Sequence, residues 1–148
     1  MSVRARVVLA ALTLMVIAGL SVRSTVTPVS AEQAPAATTR VFEIRTYVAS
    51  AGKLEALKAR FRDHTIRIFN RHNLTSIAYW QPVDGPGANS TLTYILAHES
   101  REAAARNWAA FNADPEWVKI RTESNANGNI VARVDSYFAN PSDFSPIK

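Results

Sequence analysis

Residues 41–61 read VFEIRTYVASAGKLEALKARF, and their periodicity changes from that of a strand to that of a helix at one short break. Over residues 41–48 apolar and polar side chains alternate, which predicts a strand. After the break at 51–52, apolar side chains recur at helical spacing, which predicts one long helix over 53–72. A strand followed by a helix therefore opens the folded part of the chain.

The rest of the folded part contains three more strands and a second helical region. They are predicted as strands over 74–83, 91–97 and 130–138 and helices over about 100–111 and 115–123. Ser100 is a favourable N-cap, and Asp114-Pro115 is a typical start for the last helix. The order β-α-β-β-α-β predicts an α+β, ferredoxin-like domain over 41–148, with helices on one face of a four-stranded antiparallel sheet.

The two faces of this sheet should differ. We expect Phe42 and Ile44 to face the first helix and to meet its apolar stripe, represented by Leu57, Phe61 and Ile68. The other face should be polar and uncovered, with side chains from the first and last strands. These are Glu43, Arg45, Tyr47, Arg133, Asp135 and Tyr137. A single chain cannot cover that face, so the sequence predicts a homodimer with a two-fold axis.

Two segments resemble the NIPSNAP family. The first is FEIRTY, residues 42–47, followed by GKLEALKARF, residues 52–61. The second is ESREAAARNWAAFNADPEWVK, residues 99–119, and the resemblance extends over about 41–138. It implies a ferredoxin-like domain that forms a dimeric α/β barrel, in a superfamily that includes cofactor-independent monooxygenases and heme-degrading proteins. Such a resemblance implies the scaffold more firmly than the function.

Residues 1–31 have the parts of a secretory signal peptide. Arg4 and Arg6 precede an uncharged apolar run over 7–20, and Val29-Ser30-Ala31 matches a small-residue cleavage site. Residues 32–40 are small, polar and proline-containing, as in a linker. We expect a secreted or periplasmic protein that is not inserted in the membrane once the signal is cleaved. An uncleaved leader that anchors the protein to a membrane and an organelle transit peptide are the alternatives.

The composition excludes several classes of protein. The chain has 148 residues, no cysteine and a net charge of +5. Three of those charges are arginines of the leader, so residues 32–148 carry only +2. That is too mild for a phosphate-binding surface, and we predict no nucleic-acid partner. Without cysteine there is no disulfide, thiolate metal site or cysteine nucleophile.

The candidate ligand-binding residues are polar side chains and large aromatics near the predicted sheet. They are Arg45, Tyr47, His64, Trp80, Tyr94 and Trp117. Arg45 suits an anionic ligand, or an interface ion pair in the dimer. The aromatic residues, with Trp108, either line an apolar pocket or pack the core. His64, on the predicted apolar stripe, is the one candidate catalytic base, or else a histidine at the edge of the core.

The other two histidines are better explained by structural roles than by catalysis or ligand binding. His72 suits the end of the first helix, and His98 suits the surface at the end of a strand, with the rim of a pocket as its alternative. The three histidines lack metal-ligand spacing, so no metal site is predicted. No nucleotide or flavin fingerprint is present, and no cofactor is predicted.

Two functions remain open from the sequence. The first is an exported homodimer that binds a small molecule or a protein and catalyses no reaction. The second is a cofactor-independent, monooxygenase-like enzyme for a small aromatic or polyketide-like substrate. In the enzyme, His64 or a tyrosine would move protons in a pocket between the first helix and the sheet.

Overall fold

The computed structural model describes residues 40–148. Its strands are β1 (Val41–Ala49), β2 (Thr75–Trp80), β3 (Thr91–His98) and β4 (Val131–Ala139). Its helices are α1 (Leu54–Arg60), α2 (Ile66–Arg71), α3 (Arg101–Ala113) and α4 (Pro115–Ser124), and a π-helical turn, Phe61–Thr65, joins α1 to α2. The predicted order of elements is confirmed. The predicted leader and all of the predicted linker except Arg40 lie outside the described residues.

The four strands form one antiparallel sheet in the order β2-β3-β1-β4. β1 lies in the interior of the sheet, paired with β3 on one side and β4 on the other. This is the ferredoxin-like arrangement that the sequence predicts. Among residues 40–148, no helix combines the length and the apolar character that a membrane crossing requires.

Both predicted helix starts are confirmed. The Ser100 hydroxyl accepts a hydrogen bond from the Ala103 N–H at 3.1 Å and begins α3. The Asp114 carboxylate accepts the N–H groups of Glu116 and Trp117 and begins α4, with Pro115 in the first turn. These caps satisfy backbone donors that would otherwise have no partner, and so fix where the two helices begin.

The core lies between the helices and one face of the sheet. At its centre Tyr94 of β3 is fully buried and packs on Phe61, Phe69 and Tyr79, with ring centroids 5.2–6.1 Å apart. Leu57 and Ile68, from either side of the π-helical turn, are also fully buried. The helical segments on both sides of the π-helical turn therefore pack into the same core.

The prediction for the two faces of β1 is wrong. Tyr47 packs edge-on against Phe61 at 5.6 Å, and Glu43 accepts a hydrogen bond from Trp108 of α3, so Glu43, Arg45 and Tyr47 face the helices. Phe42 and Ile44 therefore lie on the uncovered face. Polar side chains can be buried here because charged and neutral partners satisfy them, an arrangement that hydrophobic alternation does not reveal.

The predicted position of His64 on the apolar stripe is also wrong. A π-helical turn contains one residue more than an α-helical turn would, so the next buried position moves from 64 to 65. Thr65 is 1% exposed, and its hydroxyl donates to the Arg60 carbonyl oxygen, five residues back, at 3.1 Å. His64 is exposed to solvent.

Candidate functional site

A cleft between the helices and the sheet brings three arginines together. We call it the arginine cleft, and its volume is about 250 Å³. The side chains that characterise it are Arg45, Tyr47, Arg60, Trp108, Trp117 and Arg121. They come from β1, α1, α3 and α4, so only the folded domain assembles them. None of the described residues that line the cleft is acidic.

Arg45 forms the sheet side of the cleft. Its side chain is 17% exposed and is ion-paired with Glu43, its neighbour on the same face of β1. Its guanidinium carbon lies 4.4 Å from the centre of the Trp108 ring, a cation–π contact. Burial opposes the charge, but Tyr94, Tyr47 and Glu43 together raise the pKa of Arg45 above its ordinary value. Arg45 is therefore a fixed positive charge.

Glu43 lies behind Arg45 at the centre of a buried polar network. The residue is 2% exposed and also accepts hydrogen bonds from His98 Nε2 at 3.0 Å and Trp108 Nε1 at 2.7 Å. Burial alone would raise the pKa of Glu43, but these bonds and the Arg45 charge outweigh it and lower the pKa. Glu43 is therefore the ionised group that orients both Arg45 and Trp108.

The prediction that His98 lies at the surface is wrong. Its side chain is fully buried, with Nε2 on Glu43 and Nδ1 without a hydrogen-bond partner among the described residues. It lines a separate cavity of about 450 Å³ on the far side of the network, beside Arg106 and Asn107. The pairing with Glu43 explains how a histidine can end a strand inside the protein. His72, by contrast, follows α2 as predicted, and its Nε2 lies 2.7 Å from Asp114.

Arg60 forms the helix side of the cleft. It is 7% exposed, and its guanidinium carbon lies 5.3 Å from the centre of the Trp117 ring. Its one hydrogen-bond acceptor within residues 40–148 is the Ser124 hydroxyl, at 3.1 Å. Burial, with a contribution from the nearby charge of Arg121, lowers the pKa of Arg60. A buried guanidinium without a carboxylate partner is unfavourable, and so calls for a functional explanation.

Arg121 lies at the mouth of the cleft and is exposed. In the part of the chain that the structure describes, its side chain forms no ion pair. Within residues 40–148, Arg45 is thus the one of these three arginines that is paired with a carboxylate, that of Glu43. The cleft has a surplus of positive charge and of N–H donors.

The structure brings together only some of the residues that the sequence singled out. Arg45, Tyr47 and Trp117 line the arginine cleft, whereas Tyr94 lies in the core. Trp80 is 49% exposed at the end of β2, beside a different surface pocket. His64 lies on a shallow surface pocket between α1 and α4.

The last strand does not contribute its predicted polar set to the cleft. Arg133 and Asp135 bind each other at 2.9 Å and are exposed on the open face of the sheet. They are therefore separated from Arg45 by the sheet itself. No cluster of three or more His, Asp or Glu side chains that could hold a metal ion occurs within residues 40–148.

Sequence reasoning missed Arg60 and Arg121. Arg60 lies three residues after Leu57 of the apolar stripe in the regular helix α1, so helical spacing was the available signal, but a charged side chain at such a position is ordinarily expected to be exposed. Arg121 lies one helical turn beyond Trp117 on α4, so a basic residue four positions after a tryptophan was the available signal.

Comparison with known proteins agrees with this fold. The family model described as NIPSNAP matches residues 42–146. Among solved structures, a NIPSNAP family protein of unknown function from Agrobacterium tumefaciens is 23% identical, with a TM-score of 0.65, over 76% of this chain and 97% of that one. A second A. tumefaciens NIPSNAP family protein is 19% identical, with a TM-score of 0.65, over 74% of this chain and 99% of that one.

A third similar structure is an uncharacterized NIPSNAP-like domain protein from Burkholderia xenovorans. It is 23% identical, with a TM-score of 0.63, over 74% of this chain and 90% of that one. Among curated proteins, none matches this chain. At these identities the solved structures show the fold alone. The family model, however, spans nearly all of the described domain, and the chain belongs to the NIPSNAP family.

Proposed function

We propose that this protein is an exported, homodimeric binding module that holds a small molecule in the arginine cleft. The observation that carries the proposal is Arg60, a buried guanidinium that faces a cleft and has no carboxylate partner among the described residues. Concave sites with aromatic walls and a few convergent polar groups are typical of ligand pockets. Trp108 and Trp117 supply such walls here.

The homodimer is proposed from the uncovered face of the sheet. Ile44 pairs in register with Ile95 of β3 and Tyr137 of β4, so apolar side chains lie side by side on that face. Tyr137 is 62% exposed. At one end Phe42, which is 7% exposed, and Ile147 of the C-terminal segment line a shared apolar pocket. In a monomer the remaining apolar surface of this face is exposed to water. A two-fold axis would bury it against the same surface of a second copy.

Binding without chemistry fits the cleft better than the monooxygenase-like alternative. That alternative depended on His64 or a tyrosine inside a pocket. His64 is exposed outside the arginine cleft, and Tyr94 is wholly buried in the core. Tyr47 is the one tyrosine among the described residues that line the cleft, so the enzyme alternative now depends on Tyr47 alone. The other polar groups of the cleft are mainly guanidinium and indole groups, which bind and orient a ligand but are poor proton carriers at neutral pH.

Export is proposed from the leader alone. Cell fractionation followed by mass measurement of the recovered protein tests it. A product shortened by about 31 residues in the extracellular or periplasmic fraction is expected from the cleavage motif. Full-length protein in the membrane fraction would instead indicate an uncleaved anchor.

Native mass spectrometry of the protein, purified without added ligand, tests the binding module. The expected species is a dimer with a co-purified small molecule. Arg121→Gln should release that molecule, whereas Lys119→Gln, an equal change of charge at an exposed position on the same helix, should retain it. A ligand-free wild-type protein that also binds nothing from a metabolite library would refute the proposed function.

A further inference from the structure

The donors of the arginine cleft outnumber the acceptors. Each guanidinium has five N–H groups. Arg60 uses one acceptor, Ser124, and the Nε groups of Arg45 and Arg60 have no partner among the described residues. The indole N–H of Trp117, which is 8% exposed, is also unpartnered. These three atoms lie beneath the surface of the cleft, so the donors open to a ligand are the other N–H groups of Arg60 and those of the exposed Arg121, which favour a ligand with acceptors.

The net positive charge of the cleft favours an anionic ligand. Glu43 offsets one of the three arginines, and it is already shared with His98 and Trp108. Burying a charge without a counter-charge is costly, and an anion in the cleft would remove that cost. A planar oxyanion also matches the fork of donors that a guanidinium presents.

The walls limit the rest of the ligand. The guanidinium groups of Arg45 and Arg60 lie over the rings of Trp108 and Trp117, so the apolar lining also includes Phe111, Val131 and Val134. The volume of about 250 Å³ lies below the ~300–1,000 Å³ range of sites for drug-sized molecules, which suits a small ligand with an apolar body. Inorganic anions would satisfy the arginines but would leave the apolar lining unused.

We infer that the arginine cleft binds a small organic carboxylate, its carboxylate held between Arg60 and Arg121 and its apolar body against the apolar lining of the cleft. The inference rests on the proposed function and specifies the class of ligand. Arg60 is then a binding residue whose burial is unfavourable in the empty protein and favourable in the complex.

Calorimetric titration of the full-length protein with matched pairs of probes tests the inference. The probes are benzoate with benzamide, salicylate with salicylamide, and phenylacetate with phenylacetamide, and each amide keeps the shape of its acid without the charge. At least one carboxylate should bind about tenfold more tightly than its amide, as expected for charge-assisted hydrogen bonds. Inorganic phosphate is titrated in parallel and should bind more weakly than that carboxylate.

Three variants locate the binding. Arg60→Met and Arg121→Gln should each weaken carboxylate binding about tenfold, while Lys119→Gln should change the affinity less than twofold. Arg60→Met should also leave the midpoint of thermal unfolding of the empty protein unchanged or raised, because an unpaired buried charge is removed. A purely structural arginine would give a lower midpoint instead. If Arg60→Met does not fold, the affinity of Arg121→Gln for the carboxylate decides whether the inference holds, because Arg121 is exposed.

The remaining outcomes separate the inference from the proposed function. Equal binding of an acid and its amide, or equal binding of phosphate, overturns the carboxylate inference and leaves a binding module. A neutral co-purified ligand also overturns the carboxylate inference, as does equal weakening of carboxylate binding by Arg121→Gln and Lys119→Gln. The absence of binding by all six organic probes overturns the inference, and the co-purification experiment then decides whether the proposed function falls with it.

Discussion

Replacing Glu43 with glutamine should strongly destabilise the domain. The carboxylate accepts hydrogen bonds from Arg45, His98 and Trp108, three donors that approach its two oxygens. An amide retains only one acceptor oxygen and points an N–H₂ group at a donor. Removing one partner of a buried ion pair costs about 3–5 kcal/mol, and we expect about 3 kcal/mol because part of the network survives. That is a large fraction of the ~5–15 kcal/mol by which domains are stable.

Urea denaturation followed by circular dichroism measures this change. With a slope of about 1.5 kcal/mol/M, the midpoint for Glu43→Gln should fall by about 2 M. Glu55→Gln is the matched control, since Glu55 is exposed and its one ion-pair partner among the described residues is Lys58. An exposed ion pair of this kind contributes less than about 1 kcal/mol, so its midpoint should scarcely move.

The loss of stability caused by Glu43→Gln should depend on pH. The pKa of Glu43 is lowered in the folded protein from an ordinary value of 4.5. A lowered carboxyl pKa stabilises the folded state above the unfolded pKa, and that contribution is lost as the pH falls through the folded pKa. The difference between wild type and Glu43→Gln should therefore be full at pH 7 and shrink below about pH 4.5. A difference under about 0.5 kcal/mol at pH 7 would refute the role of the network.

Three other substitutions test separate features. Asp114→Ala removes the N-cap of α4 and its ion pair with Arg71, and should lower the thermal midpoint by about 5 °C. Because the pKa of Asp114 is held well below its ordinary value, this variant should also lose less stability than wild type below about pH 4; an equal loss would contradict that. Thr65→Val removes the hydroxyl that bonds the Arg60 carbonyl and should cost about 1 kcal/mol in urea denaturation, whereas no cost would mean that the bond does not support the π-helical turn. Ile44→Glu should yield a folded monomer in sedimentation velocity, and a persistent dimer would place the interface elsewhere.

The order of elements was predictable because its signals are local. Ser100 and Asp114-Pro115 mark helix starts by backbone chemistry that acts within three residues, and both were found where predicted. The alternation of β1 was also predictable, but not the face that each set of residues occupies. That choice depends on Trp108 and His98, which lie more than 50 residues away and satisfy Glu43 only in the folded chain.

The candidate site was predictable only in part, for the same reason. Arg45 and Tyr47 were selected as a polar set on one strand face, and that set does line a cleft, although on the other side of the sheet. Arg60 was absent from the prediction because an arginine beside an apolar stripe is ordinarily expected to be exposed. The expected position of His64 assumed a regular α-helix, which the π-helical turn interrupts.

The π-helical turn at residues 61–65 has a consequence for how this fold varies among related chains. The turn is a one-residue insertion absorbed inside a helix, so deleting a single residue there would restore an uninterrupted α-helix of the same axis. Because the turn absorbs the extra residue, such a deletion would leave the buried faces of α1 and α2 where they are. The same chain with a regular α-helix and no deletion would instead rotate everything before the turn by about 100° relative to everything after it, and Arg60 would turn with it. A one-residue gap in this helix of a sequence alignment is therefore compatible with an unchanged cleft.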